Sequence, residues 1–251
     1  MERIEKGELI FGIHPIREIL KSRKRQVLQL YIIENKAVNR QVEEVIRLAK
    51  TNNVKIKSIE ERLMDNLTNG ANHQGVVARV EPLKTMRLTN AIFEAAGNKK
   101  ELWLAIDEVT DPQNLGSMLR SAACLGFSTV ILPQRRTVGI TATVHKVACG
   151  ALETLRIVEV TNLNTALLDL KDEGFWIYGA DMEGKNIQQV DYAYPAVLVI
   201  GSEGTGVREK TKEHCDEVVS IPQQGGVSSL NASSAAAIIM YDMYSKSLPK
   251  K

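Results

Sequence analysis

Residues 197–207 read Val-Leu-Val-Ile-Gly-Ser-Glu-Gly-Thr-Gly-Val. An apolar run of this kind, with no polar alternation, is the pattern of a strand covered on both faces. It stops at a loop of glycines around one carboxylate, Glu203. The glycine spacing is GxxGxG, which is not the GxGxxG dinucleotide fingerprint, and no Gly-Lys-Ser/Thr follows. Glycines here allow either close backbone approach to a ligand or an ordinary tight turn. An anionic Glu203 disfavours a pyrophosphate and suits a ligand carrying positive charge or hydroxyl donors.

Outward from this strand the pattern is regular. Strands are predicted at 102–106, 129–132, 155–160, 175–180, 196–200 and 218–221, with helices at 112–125, 142–150, 163–173 and 233–247 between or after them. Alternating strands and helices with apolar strands predict an α/β fold with a parallel sheet covered on both faces. Ligands of such sheets bind beyond the C-terminal ends of the strands. Two further loops fall there. Residues 107–120, DEVTDPQNLGSMLR, open a helix with Asp111 as cap and Pro112 as first helical residue. In this loop Asn114 and Arg120 are either a capping amide and a solvated cation or a pair able to grip a ribose and a phosphate. Residues 221–233, IPQQGGVSSLNAS, hold Ser229, Asn231 and Ser233 before an apolar helix. One of these small polar residues suffices for a cap. Each loop has an ordinary structural explanation, but three of them on one sheet point to a single cleft.

The first 80 residues repeat the strand–helix alternation on a smaller scale. A short strand and helix fall over 8–21, a strand over 27–33, a helix over 42–50, and strands over 54–56 and 75–80. Residues 1–84 contain 16 Lys and Arg against 11 Asp and Glu, and the remainder 16 against 19. A basic front on a slightly acidic body fits a nucleic-acid-contacting module joined to another domain. The expected division is 1–80, a linker at 81–100 holding one short helix, and 101–251. The three cysteines, Cys124, Cys149 and Cys215, are widely spaced, which argues for a reducing compartment and against a disulfide framework. His14, His73, His145 and His214 show no metal-ligand spacing, so no metal is expected. No apolar run is long enough to span a bilayer, and the N-terminus lacks a secretory pattern. A cytoplasmic protein is expected.

The motifs DPQNLGSMLRSA, LVIGSEGTG and SIPQQGGVSSLNAS, in this order, resemble the SpoU (TrmH) family of the SPOUT methyltransferase superfamily. The likeness covers residue 100 to the C-terminus. FGIHPIREIL, His73-Gln74-Gly75 and Gly150-Ala151-Leu152-Glu153 resemble the members that methylate guanosine 2′-oxygens of 23S rRNA. Departures from the usual pattern are Gln223, Ala232 and Cys149, where Met, Val, and Ser or Ala are common.

The resemblance implies a C-terminal SPOUT domain with a trefoil knot, preceded by a small ribosomal-protein-like α/β RNA-binding domain. It further implies S-adenosylmethionine as cofactor, a homodimer formed through the catalytic domain, and RNA as partner, either 23S rRNA or a large-subunit precursor. The reaction implied is 2′-O-methylation. Asn114, Arg120, Glu203, Ser229 and Asn231 would form the catalytic site, and Gly201, Gly206, Ile221, Ser229 and Leu230 would hold the cofactor. A guanidinium is very hard to deprotonate, which favours Arg120 as a clamp over a general base. Two readings compete: a tRNA 2′-O-methyltransferase of the same fold, and a non-catalytic ribosome-assembly factor. A doubly wound oxidoreductase is disfavoured by the glycine spacing after Ile200.

Overall fold

The computed structural model describes residues 7–34, 39–226 and 229–249, which fall into two compact units. Unit one comprises residues up to 84 together with 140–153, and unit two comprises 85–139 and 154 onward.

Unit one is a four-stranded sheet of order β1-β4-β2-β3: β1 (Glu8–Phe11), β2 (Val27–Ile33), β3 (Ile56–Ile59) and β4 (Val76–Val80). β4 runs antiparallel to both neighbours, and β2 and β3 are parallel. Helices α1 (Ile13–Ser22) and α2 (Arg40–Thr51) bury Ile16, Ile19, Val45 and Ala49 against Leu30 and Ala78. Pro15 is the third residue of α1. The opposite face is covered by α3 (Glu61–Leu67) through Met64 and Leu67, packed near Val77 and Ile59.

Unit two is a six-stranded, wholly parallel sheet of order β10-β8-β9-β5-β6-β7. Its strands are β5 (Leu102–Ile106), β6 (Thr129–Pro133), β7 (Arg156–Val160), β8 (Trp176–Asn186), β9 (Ala196–Ile200) and β10 (Glu217–Ser220). The central pair, β5 and β9, is buried at every residue, as the unbroken apolar runs require. α4 (Leu88–Ala95), α5 (Pro112–Cys124), α7 (Leu163–Asp172), the single-turn α8 (Glu209–Lys212) and α9 (Ala232–Ser247) belong to this unit, and α9 packs on α5. The chain leaves β9, passes β8 to form β10 at the sheet edge, and returns as α9. The fold is the α/β class with a parallel sheet and a smaller preceding domain.

The units cut the chain differently from the sequence boundaries in two places. Residues 85–100, read as a linker, contribute Ala91 and Ala95 of α4 to the core of unit two. Residues 140–153, read as part of the sheet domain, pack in unit one, where α6 (Ala142–Ala148) lies on β1. Gly150 abuts Glu18, and buried Glu153 pairs with buried Arg25 at 2.5 Å. A paired buried charge is retained because separating the partners strands one of them. No helix among the described residues is long and apolar enough to cross a membrane.

Candidate active site

The strand order makes the loops after β5 and β9 neighbours at the C-terminal edge of unit two. In the first loop Asp111 caps α5, accepting from the backbone N–H groups of Gln113 (3.0 Å) and Asn114 (3.3 Å). With the cap supplied by Asp111, the buried Asn114 side chain is available for tertiary bonds. Its Nδ2 donates to Glu203 Oε2 at 3.2 Å, and its Oδ1 accepts from Asn231 Nδ2 at 2.9 Å. Asn231 in turn caps α9, its Oδ1 accepting from Ser233 N (2.9 Å), Ser233 Oγ (2.7 Å) and Ser234 N (3.3 Å).

These bonds have one direction. An ionised carboxylate only accepts, so Glu203 forces the Asn114 amide group to face it and the Asn114 oxygen to face Asn231. The Asn231 oxygen is then left for the helix N-terminus. The three loops are thus joined through a single chain of oriented amides that ends on a carboxylate. α5 and α9 both begin at this point, and the anionic Glu203 complements their N-terminal dipoles.

The glycine-rich loop owes its form to itself. Ser202 and Gly206 exchange both backbone hydrogen bonds, at 3.2 and 3.1 Å. A side chain on Gly201 would run into the carbonyl of Gly206. Gly204 and Gly206 take φ of 91° and 65°, a region that favours glycine. The turn therefore demands these glycines before any ligand does, and it presents Glu203 at its tip.

Beside the turn lies a cleft of about 510 Å³, within the range of cofactor sites. Gly201, Ser202, Glu203 and Gly206 line it from one loop, and Ile221, Gln223, Ser229 and Leu230 from another. Val227 and Ser228, within the third motif, lie outside the described residues. Residues 180–183, in the middle of β8, form a third wall that sequence reasoning missed. The sequence reading stops β8 at 180, but the strand continues to Asn186 by pairing with β10 across a register shift at Val218/Val219. Asp181, Glu183 and Glu209 make the lining acidic, relieved by Lys212. Glu209 and Asp181, at 2.6 and 3.1 Å, hold the Lys212 pKa above its usual value. Among the described residues there is no cluster of His, Cys, Asp or Glu able to hold a metal ion.

Of the residues singled out from sequence, Asn114, Glu203 and Asn231 are hydrogen-bonded together, and Gly201, Gly206, Ile221, Ser229 and Leu230 line the cleft. Arg120 is not among the lining residues. It sits exposed on α5, six residues after Asn114. A second residue missed from sequence is Arg208. Its backbone N–H and guanidinium grip the buried Asp107 (Nε to Oδ1 2.9 Å), which raises the Arg208 pKa and stitches the β9 loop to the β5 loop. Asp107 and Arg208 stand 101 positions apart, with no motif linking them.

The profile of the SpoU rRNA Methylase family matches residues 101–241, and that for RNA 2′-O ribose methyltransferase substrate binding matches residues 9–86. A Bacillus subtilis protein named for the TrmH family of tRNA/rRNA methyltransferases is 38% identical over 248 residues, 98% of each chain. A 23S rRNA (guanosine-2′-O-)-methyltransferase of Vibrio vulnificus is 36% identical, covering 94% of this chain and 96% of its own. Among solved structures, the SpoU methyltransferase AviRb of Streptomyces viridochromogenes, in complex with AdoMet, superposes with a TM-score of 0.78. It is 24% identical and is aligned over 96% of this chain and 90% of its own.

Proposed function

The chain belongs to the SpoU rRNA methylase family, and from that premise we propose that it transfers a methyl group from S-adenosylmethionine to a ribose 2′-oxygen of RNA, most specifically a guanosine of 23S rRNA. The observation that carries this reading is the Asn231–Asn114–Glu203 chain beside the cleft, which gives oriented amides and a fixed carboxylate to one reaction zone.

The cleft suits the cofactor on its own chemistry. Its acidic lining complements a sulfonium and an ammonium, Lys212 complements a carboxylate, and the glycine backbone admits a flat base. Gly201, Gly206, Ile221, Ser229 and Leu230 would hold it. When bound, S-adenosylmethionine supplies an electrophilic methyl group.

The protein's own part is positioning and charge. Asn114, locked by Glu203 and Asn231, orients the ribose. Arg120, permanently cationic, holds an RNA phosphate and stabilises the developing 2′-oxyanion, while a phosphate oxygen or water takes the proton. The basic front unit, within the substrate-binding match, receives the RNA. A second copy of the chain completes the enzyme through α9, whose Ile238 and Tyr241 are exposed large hydrophobics. The setting is cytoplasmic.

The test is transfer of labelled methyl groups from S-adenosylmethionine to separated 23S rRNA, tRNA and large-subunit precursor pools, followed by mapping of the 2′-O-methylated site. A single guanosine in 23S rRNA is expected. Label confined to tRNA would move the substrate assignment, and no label in any RNA would leave the assembly-factor reading standing instead.

A further inference from the structure

The loop after β6 plays no part in the site described above, yet it is built into the same sheet edge. β6 is the parallel neighbour of β5, so adjacent-strand spacing places this loop about 5 Å from the β5 loop and about 10 Å from the β9 loop. Both its ends are pinned by backbone bonds, Gln134 N–H to Val160 O and Val138 N–H to Val109 O, each 2.9 Å. Between the pins, Arg135 and Arg136 stand exposed on the crown.

The two arginines are held differently. Arg136 donates to Glu108 Oε1 at 3.1 Å, and the same oxygen forms an ion pair with Arg208 at 3.0 Å. Arg136 and Glu108 both adopt left-handed backbone, with φ of 63° and 64°. Non-glycine residues keep such a conformation only where the surroundings over-determine it, and such residues cluster at functional sites. Arg135 makes no hydrogen bond or ion pair with any described residue. Next in the chain, Thr137 Oγ1 is buried without a hydrogen-bond partner among the described residues.

We propose that the arch at residues 134–138 is a docking site for a phosphate of the substrate RNA one or two nucleotides from the target ribose. Arg135 supplies the free guanidinium fork, and Arg136, oriented by Glu108, supplies the second. A forked guanidinium matches phosphate oxygens bidentately, and Glu108 ties the arch to the β5 and β9 loops through Arg208. A phosphate seated here would set the register of the strand relative to Asn114 and Glu203. This rests on the RNA methyltransferase reading given above.

The test uses the full-length protein and the R135A/R136A double variant, with RNA affinity measured across a salt series and KM for RNA measured alongside S-adenosylmethionine affinity. The double variant should bind RNA about 10-fold more weakly at 0.1 M salt, and its log–log salt slope should be shallower by roughly 1 to 2. KM for RNA should rise while cofactor affinity holds, and R135K should keep most of the affinity. If wild-type protein methylates RNA and the double variant shows the same KM and salt slope, the arch is a solvated surface loop and the inference is overturned. If wild-type protein binds no RNA, the methyltransferase reading itself falls and takes the inference with it.

Discussion

Two glutamates at opposite ends of the parallel sheet, Glu101 and Glu203, are treated in opposite ways. Glu101 lies just before β5, where the strands begin, and is buried. It accepts from Asn98 Nδ2 (2.9 Å), Trp103 Nε1 (2.8 Å), Arg156 (3.0 Å) and the Ser128 hydroxyl. Glu203 follows β9, where the strands end, and is exposed. Among the described residues its one hydrogen-bond donor is Asn114. A carboxylate saturated by its own protein can do nothing further, whereas one left with open acceptor sites at a strand's C-terminal end is available to chemistry. Here the structural acid is buried and saturated with donors, whereas the candidate functional acid is exposed and has one.

Substitutions at the two glutamates should therefore separate stability from activity. Glu101→Ala leaves the indole N–H of Trp103 and the Arg156 guanidinium without their acceptor, at a cost of about 3 kcal/mol. For a chain of this size that is a fall of roughly 6–12 °C in Tm, with turnover per folded molecule retained. Glu203→Ala should lower methyl transfer about 10²- to 10³-fold and lower Tm less than Glu101→Ala does, because it strands a single donor, the Asn114 amide. Glu203→Gln, which keeps an acceptor for Asn114, should fall between. Calorimetric scans and single-turnover assays on the same preparations make the comparison. A Tm loss in Glu203→Ala as large as that in Glu101→Ala would break it.

Arg120 sharpens the contrast, because it is exposed and is not among the residues that line the cleft. Arg120→Ala should reduce turnover at least about 10²-fold while titration calorimetry finds S-adenosylmethionine affinity largely intact. Arg120→Lys should recover part of the rate, since a point charge still holds phosphate. Parallel loss of cofactor affinity would refute the clamp.

How much of this was legible in sequence follows from how local each cause is. β5 and β9 lie where the apolar runs place them, because burial on both faces writes itself into five consecutive residues. Asn114, Glu203 and Asn231 were visible as polar residues after such strands, although their mutual bonding was not. The second half of β8 was hidden by its polar composition, Asp-Met-Glu-Gly-Lys-Asn, since it pairs only by shifting register against β10. α3 was missed because seven residues around a single buried position, Met64, carry too little periodicity. The placement of residues 140–153 in unit one depends on Gly150 meeting Glu18 and Glu153 meeting Arg25, contacts more than 120 positions apart. No window of sequence holds such information.

Unit one supplies a third carboxylate, intermediate between the other two, and it makes the smallest prediction. Glu8 is partly exposed; it accepts from the backbone N–H of Leu83 at 3.2 Å and pairs with Arg25 at 3.2 Å and His145 at 3.7 Å. Burial alone would raise its pKa, but the pull of the His145 ring, the Leu83 bond and the Arg25 charge outweighs burial and holds it below the ordinary carboxylate value. A carboxylate depressed in the folded state contributes stability that is present above its unfolded pKa and is lost as pH falls through its folded pKa. The loss should accordingly begin just below the usual range of about 4.3 and complete at more acid pH. Urea unfolding followed between pH 7 and pH 3 should show a shallower acid-side decline in Glu8→Gln than in wild type, with a difference of well under 1 kcal/mol because the group is partly solvated. Identical pH profiles would mean that Glu8 behaves as an ordinary surface acid. Its contacts with Arg25 and His145 would then contribute packing and no charge stabilisation.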